Sequence, residues 1–283
     1  LFFYLLIIMV VFCISLLTLL ERYFLSYSQI RLGPTKVFFF GVIQMIFDGL
    51  KLFLSEFIFM FNQDYFIFML MPMLSFMMML LIFLINLYYF CVQSILGNFF
   101  WLFLFMSFMV FLLIMICYFS KSKFSLMGSI RSSSVMVSFD LIFIFYCFFF
   151  IIIFFDLNFN FLLFLFFGLI FFFLLLMMIL GDLNRGPMDF LESESELVSG
   201  FNLELSSFIF VFYFLSEYGL IFFFSYMMSV CFGLMFFVMF MLFFFFLVYL
   251  RIVYPRFRYD IFMFFCWFII LWVEMIWFLI FLN

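Results

Sequence analysis

Apolar residues fill the chain in long runs, and the breaks between those runs are short and polar. A membrane-spanning helix needs about 20 consecutive apolar residues. Eight runs reach that length: 1–20, 66–90, 98–119, 135–155, 161–180, 205–225, 230–250 and 261–282. The pattern predicts an all-α, polytopic membrane protein with a single membrane domain over residues 1–283. Pro72 in the second run and Gly168 in the fifth suit membrane helices, where neighbouring groups satisfy freed backbone atoms. No basic segment with a small-residue cleavage site precedes the first run, so no secretory leader is read there. Leu1 stands where a Met is usual, which points to an unusual start codon or an incomplete N-terminus.

One polar break has a helical period of its own. Between Val42 and Phe57, Gln44, Asp48, Lys51 and Ser55 recur at steps of four, three and four. Ile43, Ile46, Phe47, Leu50, Leu54 and Phe57 occupy the other side. This predicts an amphipathic helix lying along the membrane interface. It acts either as a simple anchor or as a lid beside a cavity.

The charges then supply a topology. Every Lys and Arg falls in one of four breaks on the same side: 21–65, 120–134, 181–204 and 251–260. They are Arg22, Arg31, Lys36, Lys51, Lys121, Lys123, Arg131, Arg185, Arg251, Arg256 and Arg258. The opposite breaks and both termini carry none. The positive-inside rule places the four large loops inside and both termini outside. A miscounted helix would scramble this one-sidedness.

Composition narrows the chemistry. With 72% apolar and 9% charged residues, no water-facing surface of a soluble globular protein can be built. There is no His, which excludes His-held haem, Rieske clusters and His-bound zinc or copper. The six Cys (Cys13, Cys91, Cys117, Cys147, Cys231 and Cys266) lie scattered in apolar runs, without the spacing of a cluster or a disulfide framework. The chain is expected to bring no redox metal of its own. The 65 Phe and the absence of Ala point to an A/T-rich, organellar genome.

Four carboxylates lie in or at the edge of apolar runs: Asp140, Glu204, Glu217 and Glu274. A charged group at a bilayer centre costs roughly 2.5–3.5 kcal/mol on insertion scales. Such groups face a bundle interior or a wet cavity. Glu204 and Glu217 are 13 residues apart, roughly 20 Å along one helix, so one lies at the inner mouth and the other deep. Each is either a neutral acid bonded between helices or part of a polar pathway. The third loop concentrates acid: Asp182, Asp189, Glu192, Glu194, Glu196 and Glu204 against the single Arg185. Like charges held together raise one another's proton affinity, which suits proton exchange at a membrane mouth. The same cluster would suit a docking surface, and spacing alone does not separate the two.

Four segments match one family. The first holds Glu21-Arg22, Tyr27-Ser28-Gln29, Arg31 and Gly33-Pro34, then Gln44, Asp48, Lys51-Leu52-Phe53 and Glu56. The second holds Ser122-Lys123-Phe124, Leu126, Gly128 and Arg131, then Ser138-Phe139-Asp140. The third holds Asn184-Arg185-Gly186-Pro187 and Asp189, the run from Glu192 to Asn202, then Glu204 and Glu217-Tyr218. The fourth holds Arg251, the run from Tyr254 to Asp260, and Trp267. Nearly the whole chain thereby resembles the family of subunit 1 of the proton-pumping NADH:ubiquinone oxidoreductase, respiratory complex I.

The resemblance implies a specific division of labour. It implies a core subunit at the heel of the membrane arm, multi-pass in the mitochondrial inner membrane. The termini would lie on the intermembrane-space side and the large loops on the matrix side. Together with peripheral-arm quinone-module subunits it would form the chamber where ubiquinone is reduced, beside small neighbouring membrane-arm subunits and lipids. FMN and iron–sulfur clusters would reside in those partners, with no cofactor held by this chain alone and no nucleic-acid partner. Arg22, Gln29, Arg31, Asp48, Phe201, Arg251 and Arg256 would sit at the quinone channel and its mouth. Asp140, Asp182, Glu192, Glu194, Glu196, Glu204 and Glu217 would form the acidic path that couples quinone reduction to proton translocation. Aromatic and aliphatic walls with few polar groups suit a neutral headgroup on a long apolar tail.

Departures from the family pattern also stand out. Asp140 and Asp182 replace a common Glu, Val135 a common Gln, Ser193 a common Gly and Phe268 a common Lys. Glu274 lies outside the pattern. Two other readings remain: a proton- or cation-coupled transporter using Glu217 and Asp140, and a structural anchor for a peripheral enzyme. No internal repeat is visible, which weighs against the inverted-repeat transporter designs. The anchor leaves the embedded carboxylates without a purpose.

Overall fold

A computed structural model describes residues 2–35, 41–56, 64–92, 95–155, 176–181, 183, 186–189, 205–232 and 236–282. Its long helices are α1 (Phe2–Ser28), α3 (Tyr65–Val92), α4 (Ile95–Ser120), α5 (Lys123–Phe155), α6 (Ser207–Phe232) and α7 (Phe236–Val253). Between the first two lies the short α2 (Gln44–Leu54). The last run is α8 (Tyr259–Phe265), a π-helical turn (Cys266–Ile270) and α9 (Leu271–Leu282). Six helical segments are long and apolar enough to cross a membrane, and α7 supplies a shorter one, Phe240–Val253. This is the polytopic all-helical architecture that the hydropathy pattern predicts. The fifth predicted span lies outside the described residues, except that residues 176–181 are helical.

One boundary moves for a physical reason. The stretch 120–134, read from its polarity as a loop, is helical from Lys123 onward and continuous with the fourth span. Its serines make this possible by returning their hydroxyls to carbonyls three residues back. Ser129 bonds Leu126 at 2.8 Å, Ser134 bonds Arg131 at 2.8 Å and Ser138 bonds Val135 at 2.6 Å. Such local bonds hide the hydroxyl within the helix, so a serine-rich face packs where a hydropathy count sees a break. Ser134 also meets the Tyr259 hydroxyl at 2.6 Å and so fastens α5 to α8.

The helix α6 is the hub of the bundle, packed against α1, α2, α3 and α7. Beyond it, α3 packs on α4, α4 on α5, and α5 on α9 and the π-helical turn. The larger core joins Ile14 and Leu17 of α1, Met79 and Ile82 of α3, Phe139 and Ile142 of α5, Phe223 and Phe224 of α6, and Phe244 of α7. A second cluster unites Phe68, Leu113, Ile116, Met136, Ile209 and Tyr213. Gly219 lets α6 and α3 approach, because a Cβ there would lie 2.6 Å from the Met79 side chain. Small residues at such contacts are how membrane helices gain close van der Waals packing. Outward-facing Ile8, Met9, Phe66, Phe111, Trp272 and Leu279 are exposed, as residues against lipid are.

The amphipathic helix forms where its period predicts. It packs on α1 and α6, burying Met45, and its Phe53 ring meets Phe212 of α6 edge-on at 6.2 Å. Ile46, Phe47, Leu50 and Leu54 remain exposed.

Candidate functional site

A buried carboxylate joins three helices. Glu21 lies near the end of α1 and is 5% exposed. Its Oε2 accepts the Tyr218 hydroxyl of α6 at 2.5 Å, and its Oε1 is ion-paired with Arg251 in the last turn of α7. Burying a charge is costly unless it is paired and hydrogen-bonded, and Glu21 meets both conditions. The three residues come from helices far apart in sequence and line a cavity of about 30 Å³.

The segment after Arg251 is tied to the start of the acidic loop. Arg256 pairs with the buried Asp189 at 3.6 Å, and the Phe257 backbone N–H donates to the Pro187 carbonyl at 3.0 Å. Pro187, Met188, Leu250, Tyr254 and Phe257 help to enclose an apolar cavity of about 270 Å³. Its largely apolar lining suits an apolar chain better than a polar ligand.

Glu217 precedes Tyr218 on α6 and faces a different space. With Ser75, Tyr213 and Ser216 it lines a cavity of about 30 Å³ between α3, α4, α5 and α6. The Ser75 and Ser216 hydroxyls lie 3.3 Å apart. A space of this size with several polar partners holds about one water. Asp140 is buried in α5 and does not line this cavity. Met136, one helical turn earlier on the same face, does.

At the other side of α1, Arg22 bonds Asp48 of α2 at 2.6 Å. Both side chains are substantially exposed, so the pair orients α2 more than it stabilises the fold. Gln29 and Arg31 are exposed just beyond the end of α1 at Ser28, on either side of Ile30, which is left-handed with φ of 55°.

Of the residues singled out from sequence, the structure thus brings Arg251 to a buried junction, Arg22 to Asp48, Arg256 to Asp189, and Glu217 to a small cavity shared with Ser75 and Ser216. Asp182, Glu192, Glu194, Glu196, Phe201 and Glu204 lie outside the described residues. Glu21, Tyr218 and Asp189 were motif members without an assigned role. The signal was present for Glu21, a carboxylate at the end of an apolar run beside Arg22, but it reads locally as a loop charge. Glu274 is buried in α9 with neither carboxylate oxygen hydrogen-bonded among the described residues, and nothing in the structure explains it. Among the described residues no three His, Cys, Asp or Glu side chains come together as metal ligands.

The whole arrangement has relatives. The family model described as NADH dehydrogenase matches residues 2–282. NADH-ubiquinone oxidoreductase chain 1 of Apis mellifera ligustica is 35% identical over 234 residues, covering 80% of this chain and 76% of that protein. Chain 1 of Artemia franciscana is 36% identical over 251 residues, 85% of this chain and 84% of that one. Chain 1 of Aedes aegypti is 36% identical over 240 residues, with 81% and 75% covered. With a match that runs almost from end to end and relatives of this similarity, the chain belongs to the NADH dehydrogenase family typified by chain 1 of NADH-ubiquinone oxidoreductase.

Proposed function

We propose that this chain, as a subunit of NADH-ubiquinone oxidoreductase, forms part of the ubiquinone-binding chamber and of the acidic path that couples quinone reduction to proton translocation. The observation that carries the reading is the junction at Glu21. One carboxylate joins Tyr218 on the helix of Glu217 to Arg251 at the base of the segment whose Arg256 pairs with Asp189. A change of charge or position at the loops therefore acts directly on α6.

The chemistry assigns roles. Ubiquinone takes two electrons, delivered by an iron–sulfur cluster of a partner subunit from FMN and NADH, and two protons, to become ubiquinol. This chain contributes walls and protons to that step and no electrons. Arg22, Gln29, Arg31, Asp48, Phe201, Arg251 and Arg256 line the chamber and its mouth. The exposed apolar side of α2 lies against lipid at the entrance. Asp140, Asp182, Glu192, Glu194, Glu196, Glu204 and Glu217 relay the altered protonation toward the pumping subunits. The loops at 21–65, 120–134, 181–204 and 251–260 face the peripheral-arm subunits on the matrix side of the inner mitochondrial membrane. Both termini face the intermembrane space.

Glu217→Gln tests the reading. The complex is expected to assemble and to oxidise NADH at the flavin with an artificial acceptor, while proton translocation coupled to quinone is lost. Unchanged pumping in the assembled variant overturns the pathway.

A further inference from the structure

Three cavities lie in series between the paired loops and Glu217. The first, about 270 Å³, is the apolar space beneath Pro187 and Phe257. The second, about 30 Å³, holds Glu21, Tyr218 and Arg251. The third, also about 30 Å³, holds Glu217 with Ser75 and Ser216. Leu180 lines both the first and the second, and Leu183 lines both the second and the third.

We propose that Leu183, with Leu180 one turn before it, is a movable apolar partition that opens and closes a water route from the Glu21–Tyr218–Arg251 junction to Glu217. This inference rests on the coupling role proposed above and names the gate within it.

The polar groups on either side are complementary to such a role. Each small cavity has room for about one water, and each offers that water a carboxylate and a hydroxyl. Protons move along continuous chains of hydrogen-bonded groups, and one leucine side chain interrupts such a chain. Leu183 is 7% exposed and lines both cavities, so its side chain stands between them.

Its position also makes Leu183 the movable wall. Leu220 and Ile221 of α6 each line one of the two cavities, but both are fixed in the middle of a long helix. Leu183 sits past the helical residues 176–181, in a turn, with its backbone N–H still bonded to the Ile179 carbonyl at 3.0 Å. It stands six residues before Asp189, whose partner Arg256 belongs to the same segment as Arg251. In the chain Leu183 thus lies between the helical residues 176–181 and the Asp189–Arg256 pair, whereas α6 is held by its four neighbours.

The test uses the assembled oxidoreductase in sealed membranes, comparing Leu183→Phe, Leu183→Ala and the volume-conserving Leu183→Met. Leu183→Phe overfills the partition and is expected to slow pumping-linked quinone reduction about fivefold or more, with flavin-site oxidation of NADH unchanged. Leu183→Ala joins the cavities and is expected to lower the protons moved per NADH while quinone reduction continues. Leu183→Met is expected to behave as the parent. Should Leu183→Phe fail to assemble, Leu180→Phe blocks the earlier partition and is judged by the same criterion. If the assembled Phe and Ala variants match the parent in both rate and proton yield, the partition is overturned. Glu217→Gln then decides the broader reading separately: lost pumping there, with normal leucine variants, leaves the acidic path in place and moves its route elsewhere.

Discussion

Tyr218 donates its hydroxyl to Glu21 at 2.5 Å, joining α6 to α1 through residues 197 positions apart in sequence. Arg251 holds the other carboxylate oxygen, so three helices share one buried charge. The arrangement is unsymmetrical. Glu21 is nearly inaccessible, whereas the Arg251 side chain is 35% exposed and keeps part of its hydration. Removing the cation therefore leaves a stranded anion, and removing the anion leaves a cation that water can still reach.

Substitutions at the junction are expected to follow that asymmetry. Tyr218→Phe deletes one hydrogen bond to a charged acceptor and should cost about 1.5–3 kcal/mol. Arg251→Met should cost more, up to about 3–5 kcal/mol if the carboxylate stays ionised. Adding Glu21→Gln to Arg251→Met should restore part of the loss, because a neutral amide is cheaper to bury than a lone charge. Thermal inactivation of the assembled complex across the double-mutant cycle reads the coupling. Additive losses would mean that the pair carries no interaction of its own.

Packing beside the junction gives a second prediction. Gly219→Val places its Cβ against the Met79 side chain, where the gap is 2.6 Å. Overpacking of this kind costs about 1–3 kcal/mol, and it pushes α6 from α3 next to Glu217. The variant should show lower thermal stability, and Met79→Ala in the same chain should recover most of it. Failure of the second change to rescue would place the strain elsewhere.

Much of this architecture is legible in sequence, because lipid imposes a simple rule: about 20 apolar residues make a span. The amphipathic α2 is legible for a related reason, since its polar residues keep the helical period and its apolar ones face outward. The start of α5 is not legible, because serine counts as polar in a hydropathy window while its hydroxyl is satisfied within the helix. Glu217 stands out as an embedded carboxylate. Glu21 does not, since its burial depends on Tyr218 and Arg251 arriving from distant helices. Cavities are invisible in principle, for they are set by how side chains from several helices fail to fill space.

The exposed pair Arg22–Asp48 separates stability from binding. Asp48→Asn should change thermal stability by less than about 1 kcal/mol, as exposed ion pairs do. It removes the ion pair between α2 and α1, and with it part of what orients the proposed quinone entrance. The apparent KM for a long-tailed quinone should rise, with a smaller effect on a short-tailed analogue that needs less of the entrance. Equal effects on both would assign Asp48 to the headgroup instead.

The cavity at Glu217 gives the last prediction. Ser75 and Ser216 each return a hydroxyl proton to their own helix, Ser75 to the Pro72 carbonyl at 2.8 Å and Ser216 to the Tyr213 carbonyl at 2.6 Å. Their oxygens therefore remain as acceptors toward the cavity that Glu217 lines. Replacing both by Ala removes two of the polar partners a water needs there, while the methyl groups fit without clash. Stability should fall by about 1 kcal/mol, since the shorter bond of each hydroxyl is local and the long Ser75–Ser216 contact is the interhelical bond that is lost. Proton translocation should slow about tenfold, equivalent to about 1.4 kcal/mol of barrier, while oxidation of NADH by an artificial acceptor at the flavin is unaffected. Stopped-flow acidification by sealed membranes, with the double Ala variant beside each single one, measures it. A double variant that pumps at the parental rate would show that this cavity carries no proton to or from Glu217.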